Sequence, residues 1–207
     1  MNQDRRNLLR DAAIEVLASA GGRGLTHRAV DAAAEVPVGT AKNYFPTREA
    51  LLRAAAERCV EQYGQVAAQM TAAGPGPCDR EELVGLFGGL LENVAGPGRP
   101  RMLAYFELRS EAARDPQLSA ILDQIATDDF TGLELAQRAA GLPVTPQSAA
   151  IVTLALHGAI LHLLVDTPST LATTAAGLEN LDHFARNLIG TVYPQNPDDR
   201  RHAQVQQ

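Results

Sequence analysis

At 207 residues, with 45% hydrophobic and 20% charged side chains, the chain is long enough to bury a core and has the composition of a soluble globular protein. Only 4% of its residues are aromatic and no window reads as a strand run bounded by hairpin turns, which disfavours sandwiches and barrels and leaves an all-α fold. The net charge of −6 argues against a uniformly basic nucleic-acid binder, but residues 1–48 hold seven Lys/Arg against five acids, a net of +2, and the remainder carries −8.

The first predicted helix spans 4–20, where Leu9, Ala13, Val16, Leu17 and Ala20 trace one apolar face and Gly21-Gly22 ends the run. Arg5, Arg6 and Arg10 fall on its polar side, as solvated surface. A second helix starts at Thr26, a good N-cap, with Ala29, Val30 and Ala33 as its inward stripe. Glu35-Val36 breaks the run, and Pro37 suits the first turn of a third helix. Phe45-Pro46 closes it, because the residue before a proline is pushed out of the helical region.

Two short helices joined by a tight turn spell a helix-turn-helix DNA reader. On a helical wheel of residues 38–45, Val38, Ala41 and Phe45 share one sector, the expected buried stripe. Gly39, Thr40 and Asn43 centre on the opposite side, toward base edges, with Lys42 and Tyr44 on the flanks where phosphates run. Asn43 is the best direct reader, since an amide pairs with adenine through two hydrogen bonds, and the Thr40 methyl suits a thymine methyl.

The stretch Val36-Pro37-Val38-Gly39-Thr40-Ala41-Lys42-Asn43-Tyr44-Phe45-Pro46-Thr47-Arg48-Glu49-Ala50-Leu51 resembles the recognition helix of the tetracycline-repressor-like (TetR) family. The resemblance covers about the first fifty residues, in order and spacing. It departs where Glu35 stands for the usual turn glycine, Pro37 for serine, Lys42 for tyrosine and Arg48 for lysine. Losing the serine removes a capping hydroxyl, while Lys42 and Arg48 keep a donor where the family contacts phosphate. The resemblance implies a DNA-reading set of Thr26, His27, Arg28, Val38, Gly39, Thr40, Lys42, Asn43, Tyr44, Thr47 and Arg48. It also implies a second role for Arg5, Arg6 and Arg10, as an arm along a phosphate backbone.

A fourth helix is predicted from the N-cap Thr47 to about residue 71, with Glu49 in its first turn. A Gly/Pro-rich linker, 72–78, follows, and then helix patterns at 79–94, 99–114, 116–140, 146–165 and 169–192, separated by Gly/Pro breaks. The segment 105–116 resembles the family's C-terminal domains more faintly. Residues 194–207 lack an apolar period and read as a disordered tail. The helix over 148–165 is apolar nearly all round; its two histidines and lack of flanking basic residues argue against a membrane span, so a partner subunit is the simpler cover.

Cys59 and Cys78 form no CxxC and have no neighbouring His, so they read as reduced thiols, and the N-terminus has no apolar signal core, so a cytoplasmic protein is expected. His157 and His162 are five apart, on different faces, which gives no metal pair, and no nucleophile motif or phosphate loop is present. No catalytic residue, metal or cofactor is therefore expected. Arg109 shares a stripe with Met102, Tyr105 and Phe106, where it would hold an anionic ligand group or pair internally with a carboxylate such as Glu134. Phe87, Tyr105, Phe106, Arg109 and His157 are the candidate effector-lining residues.

The reading is a helix-turn-helix DNA-binding domain over 1–46 and a helical ligand-binding and dimerisation domain over 47–193. By resemblance, the last two helices pair with their copies through Leu154, Leu161, Val165, Leu178, Leu181, Phe184 and Leu188. The function expected is a homodimeric, one-component transcriptional regulator, a repressor that binds a palindromic operator and is released by a small, mostly apolar effector. The rivals are an all-helical enzyme or carrier with an incidental helix-turn-helix, and a DNA binder without effector.

Overall fold

The computed structural model describes residues 3–72, 74, 76–173 and 177–195; the predicted disordered tail falls, from residue 196 on, outside the described residues. The described residues form only helices: α1 (Gln3–Gly24), α2 (His27–Ala33), α3 (Thr40–Tyr44), α4 (Arg48–Ala72), α5 (Arg80–Ala95), α6 (Arg99–Ala112), α7 (Pro116–Ala139), α8 (Pro146–Val165), α9 (Pro168–Thr173) and α10 (Leu181–Val192). They group into two compact units. One takes the chain up to Gly74 together with Pro97–Asp128, the other Pro75–Gly96 together with the chain from Asp129 on.

In the first unit, Leu9, Ala13, Val16 and Leu17 of α1 are buried as expected, whereas Ala20 is exposed. They meet Leu51, Leu52 and Ala55 of α4, Ala104 and Leu108 of α6, and Leu118, Leu122 and Ile125 from the first half of α7. Fully burying a Leu or Ile contributes about 1.5–3 kcal/mol, so this shared core is what fixes α2 and α3 against the rest of the unit. Gly21 breaks the α1 helix with φ 67°, a left-handed conformation that a glycine adopts without strain.

Arg10 is not on a solvated face. Only 4% exposed, it donates from Nε to the Ala54 carbonyl at 3.0 Å and from Nη2 to Glu61 at 2.8 Å, clamping α1 to α4. Arg58 adds a two-pronged pair with Asp11 at 2.7 and 3.0 Å. Asp11 raises the Arg58 pKa further. Burial by itself would raise the Glu61 carboxyl, but hydrogen bonds from Arg10 and Arg58 outweigh it and hold Glu61 below its ordinary value.

The second unit packs α5, α8 and α10 through Leu83, Phe87 and Leu91, Val152 and Leu156, and Ala185 and Ile189. Gly88 lacks a Cβ where the Asp182 carboxylate of α10 lies against α5. Tyr193, at the end of α10, donates its hydroxyl to the buried Gln137 at 2.8 Å, tying α10 to α7. Thr145 and Ser148 form a reciprocal cap at the start of α8.

The single last helix predicted over 169–192 does not form. α9 runs only Pro168–Thr173, Gly177 takes φ 79°, and α10 starts afresh behind Asn180, whose side chain accepts the His183 N–H at 2.9 Å. Leu178 is buried in the turn between them. Within its own unit α8 is not covered all round, and the cover expected from a partner subunit would fall on its exposed stripe. The helix is long and apolar enough to cross a membrane by length and composition, and within the unit it buries Ala149, Val152, Leu156, Ala159, Ile160 and Leu164 but leaves Ile151, Leu154, Leu161 and Val165 exposed.

Candidate nucleic-acid interface

The geometry of the predicted reading segment is set by a residue the sequence reading passed over. Asp31, on α2 and 1% exposed, accepts the Gly39 N–H on Oδ2 at 2.7 Å and the Ala41 N–H on Oδ1 at 2.6 Å. Helix starts leave their first amides without intrahelical partners, and a carboxylate there also meets the positive end of the helix. Asp31 thus supplies, from the preceding helix, the cap that Pro37 cannot. The missing serine was the available signal, because amides at the start of α3 must find some acceptor.

Between the helices the chain turns at Glu35, which takes φ 51°, a left-handed backbone that is uncommon outside glycine. Its departure from the usual turn glycine therefore leaves the turn in place, with the cost borne by the backbone. The second turn lies at Val38-Gly39. Gly39 has φ 94°, and the Thr40 N–H and hydroxyl both donate to the Pro37 carbonyl, at 3.1 and 2.5 Å. Consequently α3 starts at Thr40 and not at Pro37, so Pro37 and Val38 are outside the helix.

That shift corrects the wheel in one place. Ala41 and Phe45 are buried as expected, but Val38 is 82% exposed. In α2, Val30 is buried and Ala29 half-buried; Ala33 is exposed and Ala34 takes its place in the core. Lys42 and Asn43 are exposed, Thr40 and Tyr44 half-buried, and Gly39 has open space where a Cβ would stand. The short α3 therefore turns a cation and an amide outward over a floor made by Ala41 and Phe45. Arg6 lies over the Phe45 ring at 4.9 Å, and Arg5 is exposed.

The remaining expected contacts divide by what already engages them. Thr26 caps α2 by accepting the Ala29 N–H at 3.1 Å, and Thr47 caps α4 by accepting that of Ala50 at 3.1 Å. Beside it, the Glu49 carboxyl is held below its ordinary value, first by its own backbone N–H and then by Thr47. His27 Nε2 is 2.6 Å from the Phe45 carbonyl, which can only accept, so the ring donates there and ties α2 to the end of α3. Arg28 is exposed. Arg48 donates to the Gly22 carbonyl at 2.7 Å and to Glu111 of α6 at 2.9 Å, while Glu107 accepts the Gly22 N–H at 2.8 Å. Two carboxylates of α6 thereby hold the end of α1 and the start of α4, a junction invisible in the sequence because 85 residues separate Gly22 from Glu107.

The candidate effector residues are not gathered in one place. Tyr105 and Phe106 meet edge to face at 5.9 Å in the first unit, and burial pushes the Tyr105 hydroxyl pKa up. Arg109 pairs with Asp123 at 3.5 Å and not with Glu134, which binds Arg138 at 2.7 Å. Two turns along α7, Asp123 lies within reach of α6, whereas the Glu134–Arg138 pair is local to its own helix. In the second unit Phe87 is fully buried core, and His157 lies 3.2 Å from Asp129 and edge-on to Phe130. The described residues form cavities elsewhere. A groove of about 540 Å³ runs between α1, α4 and the start of α6, bordered by Glu15, Gln62, Gln65 and Arg101. A smaller one of about 260 Å³ lies between α7 and α8, bordered by Phe130, Leu135, Pro146 and Ala149. None of the five candidates borders either.

Of the expected dimer residues, Leu154, Leu161 and Val165 are exposed, and Leu181, Phe184 and Leu188 half-buried. Leu178 is instead spent in its own unit's core. Both cysteines are free thiols; burial pushes Cys59 up to about 11. Cys78, Asp79 and Glu82 stand close together on the surface, where Asp79 caps α5 and Glu82 accepts the Cys78 N–H at 2.8 Å.

Residues 78–190 match the family described as tetracyclin repressor-like, C-terminal domain. No curated protein matches the chain. Among solved structures it is similar to the multidrug binding protein EbrR complexed with proflavin, at 30% identity over 91% of this chain and 99% of that one, with a TM-score of 0.60. The ethidium complex of EbrR gives 28% identity over 92% and 99%, with a TM-score of 0.65. SCO1917, a TetR-family member from Streptomyces coelicolor A3, gives 28% identity over 93% and 99%, with a TM-score of 0.65.

Proposed function

Since the chain belongs to the tetracycline-repressor-like family of transcriptional regulators, we propose that it is a repressor that binds a palindromic operator as a homodimer in the cytoplasm and is released by a small effector. The observation that carries the DNA reading is the outward presentation of Lys42 and Asn43 on a helix anchored by Ala41, Phe45 and the Asp31 cap. Residues 1–46 are the reading unit and 47–193 the effector and dimerisation unit. In the major groove Asn43 pairs with adenine, while Lys42, Tyr44, Thr47 and Arg28 meet the phosphates on either side.

Dimerisation uses the exposed stripe Ile151, Leu154, Leu161 and Val165 of α8, which lies within about 80° of arc at 100° per residue. Leu181, Phe184 and Leu188 of α10 form a second stripe. An interface that repeats the same patch on both copies puts the two reading helices about one DNA turn apart or a multiple of it.

The effector acts by binding better to the state in which that spacing no longer fits. α4 starts directly behind the reading helix and extends 25 residues, about 37 Å at 1.5 Å per residue, which makes it a suitable lever. The apolar make-up of the helices in this part of the chain suits a mostly apolar molecule. Ethidium and proflavin, found in complexes of the similar EbrR, are the first compounds to try.

The test is selection of bound duplexes from a random pool, followed by in vitro transcription from a promoter carrying the enriched sequence. An inverted repeat whose occupancy blocks transcription is the expected result. A pool in which nothing is enriched would sink the DNA reading, and enrichment that raises transcription would sink the repressor assignment.

A further inference from the structure

The tip formed by Val38-Gly39-Thr40 is chemically unlike its surroundings. The Gly39 and Ala41 amides are taken by Asp31, and the Thr40 amide and hydroxyl by the Pro37 carbonyl. These groups leave no donor for a phosphate, and the Asp31 carboxylate behind the tip disfavours one. What the tip does present is a β-branched apolar side chain, Val38, 82% exposed, beside a glycine with open space around it. An exposed Val is unremarkable alone. Here it is exposed on the turn immediately before the helix that carries Lys42 and Asn43, the helix proposed to enter the major groove, where the one apolar group on the base edges is the 5-methyl of thymine.

We propose that Val38 is a specificity-determining residue that reads a thymine methyl in each half-site, a role the helical wheel had given to Thr40. The inference rests on the DNA-binding function proposed above. It places the apolar contact on the turn before the helix and leaves hydrogen-bonded reading to Asn43. Thr40 is a poorer reader because its hydroxyl is turned back to Pro37, which fixes its side chain against its own backbone.

The experiment replaces each thymine of the selected operator by uracil, one position at a time, which deletes the methyl and leaves base pairing intact. Affinities of the wild-type protein and of Val38→Ala are compared by fluorescence anisotropy. At one position per half-site, uracil should weaken wild-type binding about fourfold, the worth of burying one such carbon. Val38→Ala should bind the thymine and uracil duplexes equally at that position, with its melting temperature unchanged because the residue is solvent-exposed. Val38→Thr, which keeps one methyl, should retain part of the discrimination. Indifference of the wild type to every thymine-to-uracil change, or full discrimination by Val38→Ala, would overturn the inference while the DNA-binding function stood. Failure to select any operator would overturn both.

Discussion

The Asp31 carboxylate accepts the Ala41 amide at 2.6 Å, so the helix that carries Lys42 and Asn43 is capped by the helix before it. The contact makes α2 and α3 one mechanical piece, since neither the turn at Glu35 nor the turn at Gly39 has to hold the angle between them unaided. Truncating Asp31 leaves the Gly39 and Ala41 amides without their acceptor. Asp31→Ala should therefore cost about 1–3 kcal/mol in urea denaturation, the usual penalty for buried donors stripped of a partner. Asp31→Asn, which keeps one acceptor, should cost less, and equal stability of Asp31→Ala and wild type would show the cap to be dispensable.

Glu35 pays for a left-handed backbone. Glu35→Gly should stabilise the protein by about 0.5–1 kcal/mol, because relief of strain exceeds the added entropy of the unfolded chain. Glu35→Val should destabilise it by about 1 kcal/mol or more, since a β-branched residue is worse still at positive φ. Thermal melts of the three proteins give the order directly, and a less stable glycine variant would contradict it.

The α1–α4 clamp predicts a pH dependence. Glu61 titrates below its ordinary value of 4.5 in the folded protein, so its contribution is present above that value and fades as pH falls through the lowered one. Stability measured between pH 6 and pH 3 should drop on the acid side, and Glu61→Gln should flatten part of that drop. An unchanged acid slope in Glu61→Gln would show that the pair with Arg10 and Arg58 contributes nothing.

On DNA, Asn43→Ala should cost roughly 1–3 kcal/mol and relax preference at one position per half-site. Lys42→Ala should weaken all duplexes alike and make the salt dependence shallower by about one unit. If both variants changed affinity without changing base preference, Asn43 would be a phosphate contact and not a reader.

For assembly, Leu154→Glu or Leu161→Glu should convert the dimer to monomer or aggregate, read by light scattering after size exclusion. Leu178→Glu should instead unfold the second unit, because that side chain is core. A dimer that survives both α8 substitutions would move the interface elsewhere.

The sequence by itself determined the class of fold and the place of most helices. These are local matters: a cap such as Thr26 or Thr47 acts within one turn, and Phe45-Pro46 ends a helix whatever packs around it. It also carried the hint, in the lost serine, that α3 needed another acceptor. Periodicity mispredicted residues that fall outside a helix it had extended too far. Val38 stands on the surface and not in the floor because Gly39 turns left-handed ahead of α3, and the last helix is broken before α10, with Gly177 left-handed and Leu178 buried in the turn. Asp31, Arg10 and Glu107 acquired their roles only from tertiary structure. Each satisfies or engages a group on another helix, and a polar side chain in one helix does not encode which distant amide, carbonyl or carboxylate will be folded against it.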